Sequence, residues 1–298
     1  MAVNMGSTNF VFAVPSLITP LKNRSSLASS VGLTNSPFVP ISYPVITHGS
    51  RKNIQMEEAS KIDILDHDMQ QKVEEHMLAA GLRADAMPKH VAIIADGHRH
   101  WAKQRDVQMC YSNSAANELV IEESNDCLMR LDSLMMLFEE GIRSNLEESI
   151  KQEIRISVIG DRTGLPESLL KVITEAEEKT RANSRLHLIL AIGYGGQNEI
   201  VQACKNVCKK VKDGLIREEE INEKIFEKEL GTNKCTQYPL DLLIRPAGEF
   251  RLSNFLLYQS AYAELYFTKT LSPDFEEEDF VMALKSYQER NRRYGRRS

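Results

Sequence analysis

The chain has little of several features that would place it in a special class of protein. No apolar run approaches the length that crosses a bilayer, which argues against a transmembrane protein. Its five cysteines show no framework spacing, so we expect free thiols in a reducing compartment. The formal net charge of -5 argues against general nucleic-acid binding. The 298 residues, 42% hydrophobic and 27% charged, are typical of a soluble globular protein with one large domain or two small ones.

The N-terminal stretch contains no Asp or Glu before Glu57, and its few charged residues are Lys or Arg. Ser, Thr and Asn are frequent there, and this acid-poor, serine-rich composition is typical of an organellar transit peptide. The excess of Ser over Arg favours a plastid over a mitochondrion. The alternative is a disordered tail that carries no address. We therefore expect residues 1–52 to form a disordered transit peptide of a plastid (chloroplast) protein.

Residues 53–86 are predicted to form an N-terminal amphipathic helix and a linker. Apolar residues recur near helical spacing from Ile64 to Met77, with acids and lysines between them. Gly81 is positioned to end this helix, whose predicted extent is 57–82. A helix that packs on the main domain explains this pattern without a binding role.

A buried strand, a tight turn and a helix start are indicated by HVAIIADGHRHW. The apolar run 90–95 is followed by Asp96 and Gly97, and a helix is predicted from His98. A carboxylate at a strand tip suits a Mg²⁺ ion beside a diphosphate, because hard cations prefer oxygen ligands. A helix-capping role for Asp96 is an equal alternative. His98 and His100 stand two apart on a helix and point to different sides, which argues against a zinc site.

A second segment of this kind carries two arginines and a hydroxyl. The apolar run 242–244 predicts a buried strand, and Arg245, Arg251 and Ser253 follow it. Arginine forks match phosphate oxygens bidentately, and open α/β sheets bind ligands beyond the carboxyl ends of their strands. We therefore predict an anion site here, in preference to an ordinary surface turn with Arg–Glu pairs.

The chain after this turn is predicted to continue as an apolar helix over 255–262. Glu264 follows in an otherwise apolar run. Because a buried acid needs a partner, we expect Glu264 to face a metal ion or one of the two arginines. Further buried strands are predicted at 154–159 and 186–192, each followed by a glycine turn with a structural role.

Several ordered blocks of this chain resemble the cis-prenyltransferases, the undecaprenyl and dehydrodolichyl diphosphate synthase family, and plant plastid members in particular. The two longest blocks are MPKHVAIIADGHRHWAKQR and DLLIRPAGEFRLSNFLLYQSAYAELYF. The resemblance continues through ISVIGDRTGLPESL, LHLILAIGYGGQNEIVQA and SPDFEEEDFVMALKSYQERNRRYG. We therefore expect residues 87–298 to form a cis-prenyltransferase domain.

The resemblance implies an α/β fold, a Rossmann-like parallel sheet flanked by helices, with a hydrophobic tunnel for the growing chain. It implies an alkyl transferase that joins isopentenyl diphosphate to an allylic diphosphate, forms a cis double bond and releases pyrophosphate. The implied cofactor is Mg²⁺, and the implied assembly is a homodimer or a heteromer with a related subunit. The basic C-terminal sequence RNRRYGRRS indicates either a solvated end or a peripheral contact with anionic membrane lipids.

The resemblance also assigns roles to individual residues. Asp96 is the implied catalytic acid, which works with Mg²⁺ on the allylic diphosphate, and Glu264 completes the metal site from its own or the partner subunit. Gly97 cradles the allylic diphosphate and Trp101 packs beside the substrate. The full set of implied substrate-binding residues is Gly97, His98, Arg99, His100, Trp101, Ser124, Arg245, Arg251, Leu252 and Ser253.

This chain departs from the family pattern around the first motif. The family's Met-Asp-Gly-Asn-x-Arg-Trp corresponds here to ADGHRHW, so His100 stands where a phosphate-binding Arg is expected. Imidazole lacks the bidentate fork of Arg. Met109 and Asn113 likewise stand where the family has an Arg and a His. These changes remove polar contacts from the allylic-diphosphate half of the site.

The stretch between Asn113 and Ser124 is too short for the helix and strand that the family has there. Ser124 begins the only candidate for the family's Ser-x-Glu-Asn-Trp-like segment. A strand missing from a sheet interior leaves backbone groups unpaired and part of the core uncovered, so we expect a fold that lacks one helix and one strand. Two functions stay open: an active polyprenyl diphosphate synthase, and an impaired homologue that serves as partner or scaffold subunit of an active one.

Overall fold

The structure of the protein is a computed structural model that describes residues 8–13, 77–105, 127–236 and 238–292. Met109, Asn113 and Ser124 lie outside the described residues, and so does most of the helix predicted over 57–82. Within the described ranges, no helix is both long and apolar enough to cross a membrane.

A parallel sheet forms the centre of the described fold. Its six strands lie in the order β3-β4-β1-β2-β5-β6, and every neighbouring pair is parallel. The strands are β1 (Thr8–Ala13), β2 (His90–Ile94), β3 (Ile154–Ile159), β4 (Leu186–Ala191), β5 (Leu242–Arg245) and β6 (Glu264–Phe267). The four strands predicted from apolar runs are therefore confirmed to within one residue at each end.

Helices connect these strands. The α-helices in the described ranges are α1 (His98–Gln104), α2 (Cys127–Lys151), α3 (Glu167–Lys179), α4 (Gly196–Lys212), α5 (Glu223–Glu227), α6 (Gly231–Cys235) and α7 (Glu277–Glu289). Short 3-10 helices lie at Ala84–Ala86, Glu218–Glu220, Gln259–Tyr262 and Ser272–Asp274. Residues 77–79 are also helical, and Gly81, with a φ of 72°, ends this helix as predicted.

Apolar side chains cover both faces of the sheet, as a parallel sheet requires. On one face, Ile156 and Val158 of β3 pack with buried residues of α2 and α3, and Val91 of β2 packs with residues of α7. On the other face, Ile94 of β2 packs in a cluster with Phe255. The loops at the carboxyl edge of the sheet are therefore attached to a buried scaffold.

The structure corrects the expectation of a disordered N-terminal segment at one place. Thr8–Ala13 form β1, an interior strand of the sheet, and the rest of 1–52 lies outside the described residues. Composition averaged over a long segment conceals a short run such as TNFVFA. Aromatic and β-branched residues favour strands, and interior parallel strands are typically near-continuous apolar runs.

The stretch that is too short for the family's helix and strand, between Asn113 and Ser124, lies outside the described residues, so that absence stays a prediction. The sheet interior nevertheless has no gap in the described fold. β1 lies between β2 and β4, and each of these two strands pairs with it. The described sheet is therefore continuous from β3 to β6, and the α/β fold with a helix-flanked parallel sheet is confirmed.

The predicted helix over 255–262 is wrong. Ser253, Asn254 and Leu256 have φ angles of 47°, 64° and 43°, and only Gln259–Tyr262 are helical, as a 3-10 turn. Left-handed residues interrupt the hydrogen-bond pattern of an α-helix. Phe255 and Leu256 are nevertheless fully buried, so burial of an irregular loop explains the apolar run.

Candidate active site

The site lies where β2 and β5, adjacent parallel strands, end at the carboxyl edge of the sheet. Ile93 and Ile244 are register partners, so the residues that follow them lie side by side. Arg245 Nη2 donates to Asp96 Oδ2 at 2.7 Å. Two segments that each carry a predicted site residue are therefore brought together.

Arg245 is almost entirely buried, with 1% of its side chain exposed. Besides Asp96, its guanidinium binds the carbonyl oxygen of Arg251 and Ser253 Oγ, the latter at 2.7 Å, through Nη1. Its Nε has no hydrogen-bond partner among the described residues. Because a buried guanidinium requires partners, these contacts fix the loop at 251–253 relative to the tip of β2.

The loop that carries Ser253 has an unusual backbone. Ala247, Ser253 and Asn254 adopt positive φ angles of 72°, 47° and 64°, a conformation that non-glycine residues rarely take. Asn254 holds the loop on the start of α4: its carbonyl accepts from Gly196 N at 2.7 Å and its Oδ1 accepts from Gln197 N at 2.9 Å. Strained backbone that is held by its surroundings is typical of ligand-binding sites.

Gly97 allows the close approach of the two site segments. Its φ is 97°, and a Cβ added there would lie 2.7 Å from Ala247 Cβ and 3.0 Å from Leu271 Cδ2. Its N–H donates to Asp96 Oδ1 at 2.8 Å, so both carboxylate oxygens of Asp96 are hydrogen-bonded. Both the left-handed conformation and the available space require glycine here.

Trp101, predicted to lie beside the substrate, is a buried residue of the core that holds α1 in place. Its Nε1 donates to Asp274 Oδ1 at 2.6 Å, and the guanidinium of Arg105 lies 4.5 Å from the ring centroid. Arg105 also forms an ion pair with Asp274 at 2.9 Å. The indole therefore connects α1 to the 3-10 helix Ser272–Asp274.

The other predicted residues of α1 differ in exposure. Arg99 and His100 are exposed, whereas His98 is half-buried. Burial lowers the pKa of the His98 imidazole, and the nearby carboxylate of Asp96 opposes this shift. A neutral His98 contributes a dipole and hydrogen bonding at neutral pH rather than a positive charge.

Glu264 does not join Asp96 within the chain, which corrects the expectation of an own-chain metal pair. It begins β6, in register with Leu242, at the amino edge of the sheet. Asp96 follows the carboxyl end of β2, so the two carboxylates are separated by roughly 16 Å along the strands. Among the described residues, the partner of Glu264 is Arg290, at 3.3 Å, rather than Arg245 or Arg251.

Arg251 differs from Arg245 in being accessible. Its side chain is 61% exposed, and its guanidinium forms an ion pair with Glu249. Exposed pairs contribute little to stability and exchange partners readily. Between Arg251 and Ser253, Leu252 packs against the cluster that contains Phe255. Arg251 is therefore free to turn towards an anion while Leu252 keeps the loop attached.

The residues present fit a Mg²⁺ ion only as a partner of a phosphate ligand. Within the described ranges, no group of three or more His, Cys, Asp or Glu side chains is placed to hold a metal. Mg²⁺ in phosphoryl-binding sites is commonly held by one or two carboxylates, with phosphate oxygens and water completing the coordination. Asp96 supplies a carboxylate of this kind directly beside Arg245.

Sequence reasoning missed four partner residues, three at this site and one at Glu264. Glu249, Asn254, Asp274 and Arg290 bind, respectively, Arg251, the start of α4, Trp101 and Glu264. Only the alternation GEFR, with an acid two residues before Arg251, offered a local signal. The other three contacts join segments that are far apart in the chain.

The chain is similar to a set of proteins of one kind. The family model for undecaprenyl diphosphate synthase (Prenyltransf) matches residues 118–295. Dehydrodolichyl diphosphate synthase 2 of Arabidopsis thaliana is 44% identical over 75% of this chain and 79% of its own length. The chloroplastic (2Z,6Z)-farnesyl diphosphate synthase CPT6 of Solanum lycopersicum is 45% identical over 71% of this chain and 80% of its own length. One similar solved structure is that of lavandulyl diphosphate synthase from Lavandula x intermedia in complex with dimethylallyl diphosphate. It has a TM-score of 0.63 and is 40% identical, over 71% of this chain and 100% of that one.

Proposed function

Because the chain belongs to the undecaprenyl diphosphate synthase family of cis-prenyltransferases, we propose that it condenses isopentenyl diphosphate with an allylic diphosphate and releases pyrophosphate. The relatives support this reaction class: they are named as prenyl diphosphate synthases, and the solved relative binds dimethylallyl diphosphate. The observation that carries the proposal is the contact of Asp96 with Arg245 and, through it, with Ser253.

The arrangement suits a reaction in which negative charge develops on a departing diphosphate. Ionisation of the allylic C–O bond transfers that charge to the diphosphate oxygens. Fixed guanidinium groups at the position where charge appears stabilise it without reorganisation. Arg245 is fixed by three contacts, and Asp96 lies beside it at the same edge of the sheet.

Arg251 and Ser253 are the residues that we propose to bind the diphosphate of isopentenyl diphosphate. Arg251 is exposed, and within the described ranges its guanidinium pairs with Glu249, so diphosphate oxygens can replace that carboxylate. Ser253 Oγ accepts from Arg245 and keeps a proton to donate to a phosphate oxygen. Arg245 contributes its unpartnered Nε and its positive charge while it maintains the loop.

Asp96 is the residue that would hold Mg²⁺ beside the diphosphate. Bound there, the ion would neutralise charge on the leaving group. Arg245 N–H and Gly97 N–H orient the two carboxylate oxygens, which leaves each with a further lone pair. The chain itself therefore positions one carboxylate, and the substrate supplies the remaining anionic ligands.

Three further features belong to this proposal. Several relatives are named as chloroplastic, which supports a plastid location. A homodimer or a heteromer with a related subunit remains the proposed assembly, and Glu264 would reach a metal only from a partner subunit. The basic C-terminal sequence RNRRYGRRS, which would contact anionic lipid, lies outside the described residues from 293 onward.

The test is incorporation of radiolabelled isopentenyl diphosphate by the full-length chain, with Mg²⁺ and with dimethylallyl, geranyl or farnesyl diphosphate in turn. We expect pyrophosphate release that falls at least about a hundredfold in Asp96→Ala. Asp161→Ala is the matched control, since Asp161 follows β3 at the same edge but its carboxylate accepts hydrogen bonds from Thr163 and not from a proposed site residue. A folded, monodisperse chain without incorporation would overturn the proposal, and a rise in turnover of an active relative on mixing would then indicate a partner subunit.

A further inference from the structure

The N-terminal strand β1 occupies an interior position of the sheet. All six of its residues, Thr8–Ala13, are register partners of Leu186–Ala191 in β4. The last five, from Asn9, are also register partners of His90–Ile94 in β2. A segment far upstream of the family blocks therefore joins the two halves of the sheet.

Removal of this strand would leave a gap that the neighbouring strands cannot close in place. Adjacent strands lie about 4.8 Å apart, so β2 and β4 are separated by roughly twice that distance. Each would lose its partner along one edge, and buried backbone groups without partners are strongly unfavourable. The site residue Asp96 follows β2 directly, so the gap would adjoin the catalytic edge.

The N-terminal sequence suits this position. TNFVFA contains no charge, no proline and no glycine, and it is rich in residues that favour strands. Pro15 is outside these six residues in the sequence, so each of the six has a backbone N–H. The long stretch from Ala13 to His90 is ample for the return that a parallel neighbour requires.

We propose that the slot between β2 and β4 is a strand-binding site, and that its occupant is residues 8–13 of the same chain. The N-terminal segment is then a structural part of the protein and stays attached to the folded form. A cut between this segment and the main domain, as removal of a transit peptide at about residue 52 would produce, opens the sheet beside Asp96.

Hydrogen exchange measured by mass spectrometry on the full-length protein tests this proposal directly. We expect the amides of 8–13 to exchange at least about a hundredfold more slowly than an unstructured chain, as paired interior strands do. Residues 8–13 that exchange like an unstructured chain, while β2 and β4 are protected, would overturn it. This measurement needs no variant, so failure of a mutant to fold leaves it valid.

A proline substitution in β1 tests whether β2 and β4 depend on this strand for their protection from exchange. Val11→Pro removes one N–H from the centre of β1, and Thr34→Pro places the same residue elsewhere in the N-terminal segment. We expect faster exchange in β2 and β4 for Val11→Pro alone, with β6, at the far edge, least affected. Equal effects of the two variants would contradict the assignment. Protection that disappears on dilution would show that a second copy supplies the strand, and would overturn the intramolecular site.

Discussion

Arg245 Nη2 lies 2.7 Å from Asp96 Oδ2, although the two residues are 149 positions apart in the chain. Both belong to segments for which a role in diphosphate chemistry is proposed. In the structure each therefore neutralises the other at the carboxyl edge of the sheet. A diphosphate at the unpartnered Nε of Arg245 and a cation at the remaining lone pairs of Asp96 would lie close together and attract each other. We therefore expect the binding of the anion and of the cation to favour each other.

Substitutions of the two arginines of the site are predicted to have different effects, one mainly on stability and the other mainly on substrate binding. Arg245→Ala removes a buried partner of Asp96 and Ser253, so we expect a loss of roughly 3 kcal/mol in the free energy of unfolding. Arg251→Ala breaks an exposed pair with Glu249 and should cost less than about 1 kcal/mol, while the KM for isopentenyl diphosphate rises. Urea denaturation and steady-state kinetics on both variants provide the comparison. Similar stability losses in the two variants would contradict the different burial of the two side chains.

Gly97 is predicted to be irreplaceable by alanine. A Cβ there would lie 2.7 Å from Ala247 Cβ, and the alanine would have to adopt a left-handed backbone conformation. Gly97→Ala should therefore destabilise the protein by about 1–3 kcal/mol. The double variant with Ala247→Gly removes the closest contact but leaves the φ of 97° unchanged. We therefore expect partial recovery of the unfolding midpoint. Because Ala247 itself has a φ of 72°, the recovery is measured relative to the single variant Ala247→Gly. Full recovery on that scale would assign the cost to the contact with Ala247, and no recovery would assign it to backbone conformation or to Leu271.

The central strands were predictable because their information is local. A short apolar run that ends at glycine or aspartate identifies β3 and the end of β2, and parallel strands then place the following residues at one edge. The proximity of Asp96 and Arg245 follows from this reasoning. Their direct ion pair does not, because it depends on which two strands are neighbours.

The remaining features depend on contacts between distant segments. Nothing near Glu264 in the sequence indicates Arg290 as its partner, since α7 lies between them. The strand Thr8–Ala13 was hidden by the composition of the residues around it. The loop after Ser253 was predicted to be a helix from its apolar run, but left-handed residues and burial of Phe255 determine its path. Pattern and propensity are overridden in each case by tertiary contacts.

Trp101 is the only tryptophan of the chain and is predicted to report on the packing of α1. Asp274→Ala removes the acceptor of its indole N–H and the partner of Arg105, so we expect a loss of about 1–2 kcal/mol in stability and a shift in tryptophan emission. Glu175→Ala, which breaks an exposed pair with Lys179 on α3, is the control and should leave the emission spectrum unchanged. An unchanged spectrum in Asp274→Ala would show that the indole contact is not maintained in solution.

A buried histidine is predicted to make the protein less stable in acid. His187 on β4 is hydrogen-bonded to Ser157 Oγ at 2.8 Å. Burial, with smaller contributions from Arg155 and His90, lowers its pKa from 6.5 to about 4. Between these two pH values the unfolded chain binds a proton that the folded chain does not. Stability is therefore fully present above about pH 6.5 and is lost as the pH falls towards 4.

The size of this loss is at most about 3.5 kcal/mol, since the pKa falls by about 2.5 units and one unit corresponds to about 1.4 kcal/mol. Other groups also titrate in this range, so the informative quantity is the difference between two variants measured in urea at pH 7.5 and pH 5. His187→Gln removes the titrating imidazole, whereas His100→Gln changes an exposed one. We expect the pH dependence of the unfolding free energy to weaken in His187→Gln and to persist in His100→Gln. If both variants show the same pH dependence, the prediction is contradicted. His187 would then take up its proton as readily in the folded protein as in the unfolded chain. Its environment would be more polar than the Ser157 contact and the surrounding strands indicate.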